Sequence, residues 1–107
     1  MANSYKKNIT AITSTGETTI YTTPDQTTAI LKTCWVYNNS GGSTALTLKI
    51  NSSDLSYNGS VADKATESFI YLASGDIIVL EEGDTLKINT TAQPVNAYLA
   101  MLEISKT

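Results

Sequence analysis

Carboxylates between residues 76 and 84 form the densest group of side chains that could do chemistry; they are Asp76, Glu81, Glu82 and Asp84. A pair of carboxylates can hydrolyse glycosides, and oxygen ligands on loops suit calcium. However, the stretch lacks the D-x-D-x-D order of a calcium loop, and its carboxylates lie in or beside Gly-Asp turns, where solvated carboxylates are ordinary. We therefore expect no catalytic and no metal-binding residue here.

Histidine is absent from the chain, which removes the commonest zinc ligand and the usual general base near neutral pH. The single cysteine, Cys34, has no neighbouring base that would activate it and has no partner for an internal disulfide. It is predicted to be a small buried hydrophobic side chain. Together these residues predict that the protein is not an enzyme and needs no cofactor.

Trp35 allows two interpretations. Large aromatic side chains are enriched in protein cores and subunit interfaces, and this is the interpretation that we favour. The alternative is a platform on which a sugar ring stacks. Glycan binding needs several aromatic side chains on one exposed face, whereas the six tyrosines are scattered along the sequence.

The composition indicates a β-rich chain that makes few charged contacts. Its 107 residues suit a single domain, 1–107, and only 16% of them are charged, while Ser and Thr are abundant. A net charge of −3 argues against nucleic acid as a partner, because phosphate recognition needs basic patches. No stretch has the length of a signal peptide's apolar region or the roughly 20 apolar residues of a membrane span, so we expect no membrane association.

Period-two alternation of apolar residues and frequent turn residues predict short strands, and no long 3.6-residue stripe predicts a substantial helix. We expect an all-β, antiparallel β-sandwich of jelly-roll type with about eight strands, an up-and-down barrel being the alternative. The predicted strands cover residues 7–13, 18–23, 28–38, 44–51, 67–73, 77–80, 85–91 and 95–105. Residues 1–6 are predicted to be an N-terminal arm, and residues 52–64 a loop or a loop containing one weak strand.

Three predicted strands, 28–38, 67–73 and 95–105, have apolar residues on both faces. In the first of them, strict alternation places Leu31 on one face with Trp35 and opposite Cys34. A small sandwich has only one interior, so the second apolar face is expected to be covered by another copy of the chain. The candidate interface residues are Leu31, Trp35, Tyr37, Phe69, Tyr71 and Tyr98.

Three segments, NITAITSTGETTIYTTPDQTTAILKTCWVYNNSGGSTALTLKIN, LEEGDTLKI and AYLAMLEIS, resemble small virion proteins of tailed bacteriophages. The resemblance implies a short β-sandwich without catalysis that assembles as a homo-oligomer, often a trimer, on capsids or in tail and neck structures. On this basis we expect a capsid decoration (cement) protein, assembled into virions in the host cytoplasm, that binds itself and the major capsid protein or other virion proteins. The alternatives are a tail, neck or fibre component and, in another class, a carbohydrate-binding host-adhesion module.

Overall fold

The computed structural model describes residues 2–68 and 78–106. Their strands are β1 (Ala2–Ile12), β2 (Gly16–Thr22), β3 (Thr27–Asn38), β4 (Thr44–Ile50), β5 (Ser53–Val61), β6 (Thr66–Ser68), β7 (Ile78–Leu80), β8 (Thr85–Thr90) and β9 (Val95–Ser105). Within these two ranges there is no helix long and apolar enough to cross a membrane.

The strands form two antiparallel sheets. The A sheet has the order β1-β9-β3-β6, with β7 also pairing with β3, and the B sheet has the order β2-β8-β4-β5. Because β6 and β7 pair with different parts of β3, each sheet is four strands wide. Most consecutive strands lie in opposite sheets, which is the arrangement of a double-sheet jelly roll and not of an up-and-down barrel. The predicted all-β sandwich is confirmed.

The core lies between the two sheets and contains one face of each long strand. In β8 and β9 every second residue from Leu86 and from Val95 is buried, as the alternating pattern predicts. Burying one such aliphatic side chain contributes about 1.5–3 kcal/mol. The buried cluster consists of Ile12, Ile20, Leu31, Cys34, Val36, Leu46, Leu48, Val61, Leu86, Ile88, Val95, Ala97, Leu99 and Met101.

Strand β1 begins earlier than the sequence suggests. Residues 2–6 were expected to belong to a loose arm, but they pair in register with β9, from Ala2 opposite Ser105 to Lys6 opposite Met101. The long strand β9 offers a full edge of backbone donors and acceptors, and the N-terminal segment satisfies them. Backbone pairing therefore orders a segment whose side chains bury little.

A β-bulge at Lys32 changes which residues of β3 point into the core. The pairing of β3 with β9 shifts between Leu31 and Thr33, and one extra residue reverses the alternation beyond that point. Leu31 is consequently 0% exposed and shares the buried face with Cys34. The prediction that Leu31 lies beside Trp35 on the outer face is wrong, because strict alternation does not allow for a bulge.

Candidate functional site

The outer face of the A sheet carries large apolar side chains in rows that run across the strands. One row joins Tyr5, Leu102, Ile30 and Val79 through the pairing of β1, β9, β3 and β7. We call the outward side of this sheet the A face. Its apolar members are Tyr5, Ile9, Ile30, Trp35, Tyr37, Val79, Tyr98, Ala100, Leu102 and Ile104.

Several of these side chains face solvent. Tyr5 is 80% exposed, Ile9 is 65% exposed and Val79 is 50% exposed, while the members on β3 and β9 are half-buried by their neighbours. An extended apolar patch of this kind on a single chain is typical of an interaction surface. The A face is therefore the candidate functional site.

Two aromatic rings form the centre of one row. Trp35 and Tyr98 are opposite each other in the register of β3 and β9, and their rings stack with centroids 5.0 Å apart and planes 16° apart. Cross-strand aromatic pairs stabilise a sheet by about 0.2–1 kcal/mol and hold both rings in one orientation. The pair presents a fixed aromatic surface with Ile9 beside it on β1.

Small side chains leave a hollow between two rows of large ones. Ala100 lies opposite Thr33 on β3 and Lys7 on β1, between the row of Tyr5 and the row of Tyr98. The hollow has a volume of about 440 Å³, and its lining is Tyr5, Lys6, Lys7, Lys32, Tyr98, Ala100 and Met101.

The structure brings together half of the predicted interface residues. Trp35, Tyr37 and Tyr98 share the A face, Leu31 lies in the core, and Phe69 and Tyr71 fall outside the described residues. Tyrosines that are scattered in the sequence thus converge on one face.

Two exposed members of the A face, Tyr5 and Ile9, are absent from the predicted interface. Tyr5 falls in the segment that the sequence indicates as an arm, whereas Ile9 falls in the predicted strand 7–13, which was not assigned to the interface. A signal was present, since Tyr5, Lys7 and Ile9 alternate as the outward residues of a strand do.

The outer face of the B sheet carries mainly polar and charged side chains by contrast, although its strand β5 also exposes Tyr57 and Leu55. Glu17 accepts a hydrogen bond from Lys49 at 2.8 Å and forms an ion pair with Lys87 at 3.0 Å. The hydrogen bonds from Lys49 and Lys87 lower the pKa of Glu17. We call this surface the B face; its outward residues include Glu17, Thr47, Lys49, Asp54, Tyr57, Lys87 and Asn89.

A carboxylate connects the two sheets at one side of the core. Glu103 of β9 accepts a hydrogen bond from the Tyr21 hydroxyl at 2.5 Å and pairs with the Lys6 ammonium at 2.9 Å. Burial alone would raise the pKa of Glu103, but the bonds from Tyr21 and Lys6 outweigh it and lower that pKa. Burial and the adjacent carboxylate raise the pKa of Tyr21. The polar groups satisfy each other, which is the arrangement of a structural contact.

In the acidic stretch 76–84, the carboxylates of Glu82 and Asp84 accept hydrogen bonds from nearby backbone and side-chain donors. Glu82 accepts from the Gln26 amide at 2.7 Å. Asp84 accepts from the Asn51 side chain at 3.1 Å and from the Glu81 amide at 2.9 Å, and these bonds lower the pKa of Asp84. Asp76, the remaining carboxylate of that group, lies outside the described residues. One of these bonds lies within a turn, and the other two connect neighbouring turns, so the carboxylates have structural partners.

The cysteine is enclosed by the core. Cys34 is 0% exposed, and burial raises the pKa of its thiol to about 12. The thiolate is the nucleophile and the metal ligand, so a buried neutral thiol is inert in both roles. Among the residues that the structure describes, no group of His, Cys, Asp and Glu is arranged to hold a metal ion.

Comparison with known proteins identifies the fold but no family. No protein-family model and no curated protein matches the chain. A chain in the acid-stable capsid of Helicobacter pylori bacteriophage KHP30 superposes with a TM-score of 0.58 at 9% identity, over 100% of this chain and 90% of that one. A chain in the extra small virus VLP of the prawn Macrobrachium rosenbergii superposes with a TM-score of 0.54 at 20% identity, over 100% and 82%.

A chain from Bacillus endospore appendages, described as disulfide-linked pili, has a TM-score of 0.56 at 12% identity, over 99% of this chain and 88% of that one. At such identities the likeness shows a shared fold. These three chains come from a bacteriophage capsid, a virus VLP and a pilus.

Proposed function

We propose that this chain is a non-enzymatic structural subunit of a virus particle and that it assembles through its A face. The observation that carries the proposal is the row arrangement of apolar side chains from Tyr5 to Val79 on the outside of a sheet whose inner face is already packed. The fold shared with chains of two viral shells supports the viral part of the proposal.

The A face is large enough for a stable contact. Strands β1, β9 and β3 have 11, 11 and 12 residues, and β6 and β7 have three each, so at about 3.3 Å per residue and 4.8 Å between strands the described face measures roughly 600 Å². Standard protein interfaces bury about 800 Å² on each partner. The described A face therefore offers about three quarters of the surface that one subunit contributes to a standard contact.

The specific role that we favour is a homotrimeric decoration, or cement, protein on the outside of a capsid. Such a protein adds buried area across the boundaries between shell subunits, which opposes their separation by internal pressure. Particles that lack the protein are then expected to lose their genome at a lower temperature than complete particles. Equal heat tolerance would contradict the cement role, and a copy number far below that of the shell subunit would indicate a tail, neck or fibre component.

Assembly through disulfides, the route named for the Bacillus pili, is closed to this chain in its folded state. Its one cysteine, Cys34, lies in the core with no exposed surface. Contacts between copies must then be non-covalent. The A face supplies them by burial of apolar area.

Self-assembly is tested by measuring molar mass with light scattering on the wild-type chain and on two variants. The double variant Tyr5→Ser/Ile9→Ser removes two exposed members of the A face, whereas Tyr57→Ser removes a tyrosine of the B face that is 69% exposed. We expect the wild-type chain and Tyr57→Ser to form the same oligomer and the double variant to dissociate. A wild-type chain that stays monomeric at every concentration would contradict the proposal.

Glycan binding is the second candidate, because Tyr5, Trp35, Tyr37 and Tyr98 share the A face. Aromatic faces stack on sugar rings, and the amide of Asn96 lies next to Tyr37 in the register. A glycan array with Trp35→Ala as the control tests this candidate. Binding that is lost in Trp35→Ala would favour it over self-assembly, and silence across the array would remove it.

A further inference from the structure

The lysines divide into two groups. The chain has seven basic residues, all of them lysine. Lys7 and Lys32 form no ion pair and no hydrogen bond with any described residue, and both line the hollow above Ala100. The five lysines with a carboxylate partner are Lys6, Lys49, Lys64, Lys87 and Lys106. The two unpaired positive charges are thus concentrated at one concave site.

The hollow combines this charge with apolar walls. Its floor is Ala100, and tyrosine side chains from two neighbouring rows, Tyr5 and Tyr98, stand on either side. A ligand that fills it needs an apolar group to contact the tyrosines and a negative charge to approach the lysines. The chemical class that fits is a short acidic segment with an apolar residue beside the carboxylate.

The chain itself carries such a segment at one end of the sandwich. Pro24 and Asp25 are exposed at the tip of the turn between β2 and β3. Within the described part of the chain, the Asp25 carboxylate has no hydrogen-bond or ion-pair partner, although the rest of the turn is well bonded.

Hydrogen bonds hold this tip in one conformation. The Gln26 amide donates to the Glu82 carboxylate at 2.7 Å, and the Gly83 amide donates to the Thr23 carbonyl at 3.0 Å. The Lys106 amide donates to the Gln26 carbonyl at 2.7 Å. A pre-ordered tip loses little conformational entropy when it binds, so its contacts are retained as affinity.

We propose that the Pro24–Asp25 tip of one copy docks into the A-face hollow of the next copy. The proline ring packs against Tyr5 and Tyr98, and the Asp25 carboxylate binds between Lys7 and Lys32. This inference rests on the proposed self-assembly and names the contact that directs it. Tip and hollow are different surfaces of one chain, so the contact is heterologous and gives a closed ring where the rotation between copies closes.

Charge reversal on each side of the contact tests the proposal. Asp25→Lys places a cation opposite two lysines, and Lys7→Asp/Lys32→Asp places two carboxylates opposite Asp25. Each variant is expected to raise the dissociation constant of the oligomer by about tenfold or more, because like charges then meet in the contact. The triple variant Asp25→Lys/Lys7→Asp/Lys32→Asp restores opposite charges and is expected to assemble within about threefold of the wild-type chain.

Asp54→Lys is the matched control, because it makes the same charge change at an exposed carboxylate of the B face. Sedimentation equilibrium gives the dissociation constants, and circular dichroism melting verifies that each variant is folded. If the reversals at residues 7, 25 and 32 behave like Asp54→Lys, or if the triple variant is not restored, the proposal is overturned. Failure of the proposed function looks different: the wild-type chain is then monomeric, and Tyr5→Ser/Ile9→Ser has no effect.

Discussion

The A face and the B face belong to sheets of the same width, but they expose different kinds of side chain. On the B face, Glu17 is paired with Lys49 and Lys87, so the charged groups that point outward satisfy one another within the chain. On the A face, the outward positions hold residues such as Trp35 and Leu102, which have no polar group to offer water except the indole N–H. The chain pairs the charged groups of one surface within itself and leaves apolar side chains exposed on the other.

This difference arises from the outward positions alone. In β8 the outward residues are Lys87 and Asn89, whereas in β9 they include Tyr98 and Leu102. The buried inward residues of both strands are mainly aliphatic, Thr90 of β8 and Glu103 of β9 being the polar exceptions. The inward residues of each strand therefore determine folding, and the outward residues are free to determine what each face binds.

The largest expected effect is a difference in the free energy of unfolding between a core variant and an A-face variant of the same strand, β3. Leu31→Ala removes a side chain that is 0% exposed and is expected to lower the free energy of unfolding by about 2–5 kcal/mol. Ile30→Ala, its neighbour on the outer face, is expected to change the stability of the isolated chain by less than about 1 kcal/mol and to weaken self-association. Urea denaturation and light scattering measure the two quantities. Equal losses of stability in both variants would show that the outer side of β3 contributes to folding as much as the core side does.

A smaller effect is expected at the carboxylate between the sheets. Glu103→Gln weakens the bonds from Tyr21 and Lys6 and is expected to lower the free energy of unfolding by about 1–3 kcal/mol at pH 7. Because the folded pKa of Glu103 lies below its ordinary value, its contribution is present at neutral pH and disappears as the pH falls through that folded pKa.

The matched measurement for Glu103 is the pH dependence of unfolding between neutral and strongly acidic pH. The wild-type chain is expected to lose stability relative to Glu103→Gln as the pH falls, so that the two curves converge. Tyr21→Phe removes the hydroxyl that donates to Glu103. When this substitution is made in both chains, we expect a smaller stability difference between the chain that keeps Glu103 and the chain that carries Glu103→Gln. A constant gap between the curves at all pH values would contradict a role for the ionised carboxylate.

The alternation and the turn residues in the sequence predicted an all-β sandwich of short strands, because periodicity indicates which face of a strand is buried. It predicted the inner and outer residues of β9 correctly, from Val95 to Ile104. It did not predict the facing of Leu31, because a bulge depends on how two strands pair and leaves no mark in the local pattern.

Strand β1 shows the same limit. Asn3 and Ser4 have no apolar side chain whose burial would order them. Their backbone is ordered by pairing with the edge of β9. The hollow above Ala100 is likewise invisible in the sequence, since it depends on which residues from three strands fall into one row.

The smallest expected effect belongs to the B face. Glu17→Gln removes the carboxylate shared by Lys49 and Lys87, but these groups lie at the surface, where water and salt screen the attraction. We expect a small decrease in melting temperature at low salt that vanishes at about 1 M salt, where the screening length is about 3 Å. The oligomer should stay intact, because no residue of the A face changes. If Glu17→Gln dissociated the oligomer as Tyr5→Ser/Ile9→Ser is expected to do, the B face would be a second assembly surface, and the apolar character of the A face would no longer distinguish the two.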